Sequence, residues 1–78
     1  MSYIPKSYEL QLIKNENIGK LLTLSDNSAW KIDMQSAIKT SLWLISDNVK
    51  ITLKNMVFYL NNLRTKDIVP AQYIEPEQ

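Results

Sequence analysis

A chain of 78 residues, 45% apolar and 22% charged, is expected to form one domain over residues 1–78 with its core at about 7–73, and a domain of that size has little interior to spare for a catalytic cleft. Histidine and cysteine are both missing, which excludes disulfides, thiol chemistry, ordinary zinc sites and histidine acid–base catalysis and leaves only oxygen ligands for a metal. The net charge of +1 combines a basic middle, where Lys31, Lys39, Lys50, Lys54, Arg64 and Lys66 outnumber Asp33 and Asp47, with an acidic end at Asp67, Glu75 and Glu77; nucleic-acid domains usually carry a denser basic stripe.

Taken in chain order, Tyr8, Leu10 and Leu12 alternate with Glu9, Gln11 and Ile13, the pattern of a half-buried strand, which ends in the polar run from Lys14 to Gly19. Gly19 is the only glycine, so Asn and Asp are expected at the other backbone positions that need positive φ. The stretch Leu21 to Ile32, "LLTLSDNSAWKI", reads as a hairpin. A two-residue loop would pair Leu22 with Lys31 and send apolar side chains to opposite faces. A three-residue loop, Ser25-Asp26-Asn27, pairs Leu22 with Trp30 and Lys20 with Ile32, and puts Asn27 in the left-handed position of a turn followed by a bulge.

The helical spacing of Met34, Ala37, Ile38, Ser41, Leu42 and Ile45, with Asp33 as N-cap, predicts one short helical turn from Asp33 to Ser41, which stops short of Ile45 because Thr40 and Ser41 are poor helix formers. From Val49 to Leu60 alternation returns. A Lys54-Asn55 loop predicts the pairs Leu53 with Met56, Ile51 with Phe58 and Val49 with Leu60 inside, and Lys50 with Tyr59 and Thr52 with Val57 outside. An even-length loop around Thr65-Lys66 then sets Val69, Ala71 and Tyr73 against the face of Asn62, Leu60 and Phe58. Pro70 points outward and is expected on an edge, and the terminal "IEPEQ" is expected to fray. The fold class expected is all-β: five or six antiparallel strands in a small barrel or strongly curved sheet, with one short helical turn. An α+β fold, with Leu53, Met56, Val57 and Leu60 on a helix, is the alternative.

The stretches "GKLLTLSDNSAWKI" and "WLISDNVKI" resemble uncharacterised small bacterial proteins in which Gly-x-x-Leu-x-Leu-x-Asp-Gly-Ser-x-Trp-x-Val precedes Trp-x-x-Gly-Asp-x-Val-x-Ile. Gly19, Leu22, Leu24, Asp26, Ser28, Trp30, Trp43, Asp47, Val49 and Ile51 fit that pattern, with Asn27 and Ser46 where it has glycine. The resemblance implies a compact antiparallel β-barrel-like unit and carries no activity.

Ser-Asp-Asn occurs twice, at 25–27 and 46–48. Together with Ser36-x-x-Lys39 and Lys39-Thr40-Ser41 it imitates the three motifs of serine β-lactamases. All three then fall within 13 residues and Lys39 serves two of them, which leaves no cleft for them to converge on. Asp26, Asp33 and Asp47 are expected to bond turn and cap backbone, not to work as a catalytic or calcium-binding set. Trp30 and Trp43 are expected in the core, and the outer sheet face offers Lys31, Lys50, Lys54, Val57 and Tyr59 as candidate partner-binding residues. The expected function is a noncatalytic binding or structural module, not an enzyme and without a cofactor, that contacts another protein through an exposed sheet edge. The alternative is a weak nucleic-acid-binding barrel. No apolar run approaches the length of a membrane span and no secretory signal is visible, which together with the lack of cysteine fits a cytoplasmic protein.

Overall fold

The computed structural model describes residues 9–76. It is a closed six-stranded antiparallel β-barrel with one short helix. The strands are β1 (Glu9–Glu16), β2 (Leu21–Leu24), β3 (Ala29–Lys31), β4 (Asn48–Lys54), β5 (Val57–Asn62) and β6 (Ile68–Ile74), and helix α1 (Met34–Thr40) connects β3 to β4. The order around the barrel is β1-β2-β3-β6-β5-β4. Two three-stranded meanders are therefore joined through α1 and closed by the pairs β1·β4 and β3·β6.

Alternation builds the wall. Leu10, Leu12, Leu22, Leu24, Trp30, Ile32, Val49, Ile51, Leu60 and Val69 point inward and are buried, joined by Ala37 from the helix and Trp43 from the turn after it. Trp30 fills the centre, with Phe58 and Tyr73 packed edge-on at ring-centroid distances of 5.2 and 5.4 Å, a geometry that sets the positive edge of one ring on the negative face of another. Tyr8 and the last two residues lie outside the described range.

The first hairpin has the expected register, Leu22 opposite Trp30 and Thr23 opposite Ala29, with the Ile32 amide donating to the Lys20 carbonyl. Asn27 is at φ 68°. The second hairpin departs from expectation by two residues. Lys54 pairs with Val57, so the loop is Asn55-Met56, and the rungs are Thr52 with Tyr59, Lys50 with Asn61, Leu53 with Phe58, Ile51 with Leu60 and Val49 with Asn62. The reason is that a two-residue turn of this hand needs positive φ at both positions and favours Asn at the first; Asn55 and Met56 are at 51° and 67°. Met56 is thus an exposed loop tip, not an inner partner of Leu53.

The β5·β6 pairing keeps the expected face but is also offset by two, with Val69 opposite Leu60 and Ala71 opposite Phe58. Pro70 sits in a closed barrel, not on an edge strand, yet violates nothing. The Asn62 amide bonds the Asp67 carbonyl, and since hydrogen-bonded pairs alternate, Tyr59 and Pro70 form a non-bonded pair. The missing N–H of Pro70 therefore faces the β3 side, where pairing has stopped at Lys31 with Gln72.

Strand direction divides the loops between two ends. One, the cap end, gathers the β1–β2 loop (17–20), α1 with the turn after it, and the β5–β6 loop (63–67). The other carries the two hairpin loops at 25–27 and 55–56.

Candidate functional site

The two Ser-Asp-Asn tripeptides are both structural, in different ways. In the first, Ser25 Oγ accepts from the Gln11 amide at 3.0 Å, just beyond the end of the β1–β2 ladder at Leu12 opposite Leu24. Asp26 Oδ1 accepts from both the amide and the hydroxyl of Ser28, and Ser28 Oγ accepts from the indole of Trp30 at 2.8 Å. The spacing Asp26-x-Ser28-x-Trp30 is therefore a relay that satisfies the polar edge of a wholly buried ring. The sequence pattern contained these residues; their link was invisible in it because two of them bond by side chain alone.

In the second copy, Ser46, not Asn48, takes the left-handed conformation, at φ 77°. Asp47 closes the turn, its amide donating to the Leu44 carbonyl and its Oδ2 accepting from the Leu44 amide. The same buried carboxylate accepts from Arg64 Nε at 2.7 Å, Arg64 Nη2 at 2.9 Å and Asn62 Nδ2 at 2.9 Å. Asn62 Oδ1 in turn accepts the amides of Arg64 and Thr65. Bonding to the Arg64 guanidinium, helped by Asn62 and the Leu44 amide, holds the Asp47 carboxyl far below the ordinary carboxylate range despite its burial. Beside this network the Trp43 indole donates to Asp67 Oδ2 at 3.0 Å and lowers the Asp67 pKa. Arg64, Asn62 and Asp67 were not identifiable as partners of these motifs, because the connection runs across 15 to 24 residues of chain.

The three carboxylates weighed as a set are scattered: Asp26 in a hairpin loop, Asp33 capping α1 through the Ser36 amide, and Asp47 in its own network. Both tryptophans are core, 0% and 3% exposed. Neither is available to stack on a nucleobase.

Lys31, Lys50, Lys54, Val57 and Tyr59 all lie on the outer wall of β3-β6-β5-β4; Lys54 and Val57 share a rung, while Lys50 and Tyr59 stand on others. Lys50 stands between Glu9 and Asn61, Tyr59 between Thr52 and Pro70, and Val57 beside Lys54. Lys54 and Tyr59 border an open depression of about 700 Å³, floored also by Thr52, Asn61 and Ile68. Lys31 and Val57 border a smaller one of about 360 Å³ with Pro70 and Gln72.

The strongest surface feature is elsewhere. Helix α1 buries only Ala37 and Thr40. Its large apolar side chains face outward: Met34 is 73% exposed, Ile38 75%, and Leu42, in the turn that continues the helix, 73%. Leu44 and Ile45 follow at 59% and 56%, and Ile18 is 83% exposed on the adjoining loop. That loop is fixed to the helix because Gly19, at φ 81°, lies against the backbone of Ser41 and its carbonyl accepts from Thr40 Oγ1 at 2.6 Å. Asn15 Nδ2 ties β1 to the same turn, donating to the Thr40 and Trp43 carbonyls. The helical spacing of Met34, Ile38 and Leu42 was legible in the sequence, but not the side to which it turns; the structure leaves those three exposed and buries Ala37 and Thr40 instead.

Comparison with family models, with curated proteins and with solved structures found no match. Among the described residues no helix is long and apolar enough to cross a membrane.

Proposed function

We propose that the protein is a noncatalytic module that associates with protein through the apolar cap formed by α1, the turn after it and the β1–β2 loop. The observation that carries this reading is the concentration of Ile18, Met34, Ile38, Leu42, Leu44 and Ile45 at one end of the barrel, each at least 56% exposed. Soluble monomers rarely leave more than a few hundred Å² of apolar surface in one patch, and larger ones usually mark interaction sites. Closure of the barrel removes the alternative of pairing along a long free sheet edge. A cytoplasmic setting and kinship with small bacterial barrel-like proteins belong to the same proposal.

The test compares three immobilised baits in extract of the source cells: wild type, Ile38→Glu and Tyr59→Ala. Proteins retained by wild type and Tyr59→Ala but lost from Ile38→Glu support the cap. An identical set on all three contradicts it. The second reading, nucleic-acid binding, is favoured by Lys54 and Tyr59 bordering the larger depression, with Lys50 on the neighbouring rung opposite Asn61. Titration of labelled single-stranded and duplex DNA and RNA at two salt concentrations tests it, and binding unchanged by salt or absent at low ionic strength eliminates it.

A further inference from the structure

We infer that the occupant of the apolar cap is a second copy of this chain, docked about a two-fold axis that passes beside Ile38. This rests on the cap being an association surface, and it adds the partner and the geometry. Three observations carry it.

The first is the spacing of the exposed stripe. Met34, Ile38 and Leu42 are four residues apart, so the stripe is symmetric about Ile38. An isologous interface requires that if residue i meets j, then j meets i. Two α1 helices laid antiparallel satisfy this with apolar partners throughout: Ile38 on Ile38 of the second copy, and Met34 on Leu42 in both directions. The i, i+4 rows are also those that interdigitate most readily between helices.

The second is area. The six exposed apolar residues together present the surface of about four fully exposed residues, comparable with the roughly 800 Å² that each partner contributes to a standard interface. The third is charge. The cap end carries Lys20, Lys39, Arg64 and Lys66 together with Glu16, Asp33, Asp47 and Asp67, equal numbers of each sign, so a copy of the same surface meets no net repulsion. A strongly basic rim would have pointed to an anionic partner. Glu9 and Ile74, the outer ends of β1 and β6, lie at the opposite end of the barrel, clear of the contact.

Sedimentation of the purified chain at concentrations up to about 100 μM tests the proposal. The expected result is a species of twice the 9.1 kDa chain mass, converted to monomer by Ile38→Glu with at least a 100-fold weaker association, because the charge is introduced twice at the axis. Met34→Lys and Leu42→Glu should each weaken the dimer. Combined in one chain they should restore it, since each lysine then faces a glutamate of the other copy. Met56→Glu, at the far end, should leave it unchanged. All of these positions are more than 70% exposed, so the variants should fold. A wild-type monomer at the highest concentration, or a dimer indifferent to Ile38→Glu, would overturn the proposal, and loss without rescue by the double variant would overturn its antiparallel register. A monomeric chain whose bait experiment still discriminates Ile38→Glu would sink self-pairing alone and leave the association surface standing.

Discussion

With a single glycine available, this chain places Asn17, Ile18, Asn27, Ser46, Asn55, Met56 and Lys66 at positive φ. Asn tolerates that region; Ser46 and Met56 do so at a cost of about 1–2 kcal/mol, against which a glycine loses about 0.5–1 kcal/mol through its freer unfolded state. Ser46→Gly and Met56→Gly are therefore each expected to stabilise by about 0.5–1 kcal/mol, read as a higher urea midpoint with an unchanged slope. The two sites belong to different turns, so the gains should add. Gly19 is the opposite case. At φ 81° a Cβ would press on the Ser41 backbone and lie 2.8 Å from Thr40 Oγ1, so Gly19→Ala should cost about 2 kcal/mol or more and loosen the loop that carries Ile18.

At the scale of elements, hairpin register was legible where side-chain parity constrained it and illegible where it did not. Leu22, Leu24, Trp30 and Ile32 fit only one loop length, so the first hairpin follows from sequence. In the second, a shift of two residues still leaves Val49, Ile51 and Leu60 inside while Leu53 and Met56 end up exposed, and the decision falls to the preference of Asn55 for the first turn position. Helix α1 was legible in extent and cap but not in orientation, since periodicity identifies an apolar stripe without saying whether anything covers it. Two substitutions distinguish its faces. Asp33→Ala removes the cap on the Ser36 amide and should cost about 1 kcal/mol. Ile38→Glu, on the uncovered face, should change the stability of the monomer by no more than about 0.5 kcal/mol in urea unfolding, whereas a core aliphatic could not be replaced so cheaply.

At the scale of the whole molecule, the cap end is held by charge as well as packing, and this fixes the response to acid. Asp47 and Asp67 have folded pKa values below their ordinary ones, so in acid the unfolded chain binds more protons than the folded one. The stability they contribute is complete above about pH 5 and is lost as the pH falls through the unfolded carboxylate value near 3.9 toward the lower folded ones. Thermal melts between pH 7 and pH 2 should show this loss. Asp47→Asn should lower stability by about 2 kcal/mol at pH 7 and flatten the acid dependence, so that variant and wild type converge at low pH.

Little of the association surface could be read before the fold was known. The outer-wall lysines and Tyr59 stood out by residue type, whereas Ile18 falls in a polar loop and the periodicity of the α1 stripe did not say whether anything covers it. The most direct measurement of that surface is a pair of amide correlation NMR spectra of the isotope-labelled chain, dilute and concentrated. Concentration-dependent shifts confined to Ile18 and to the segment from Met34 to Ile45 are the result expected. Shifts centred on Lys50, Lys54 and Tyr59, or spectra that superimpose at both concentrations, would contradict a cap through which this protein pairs with itself.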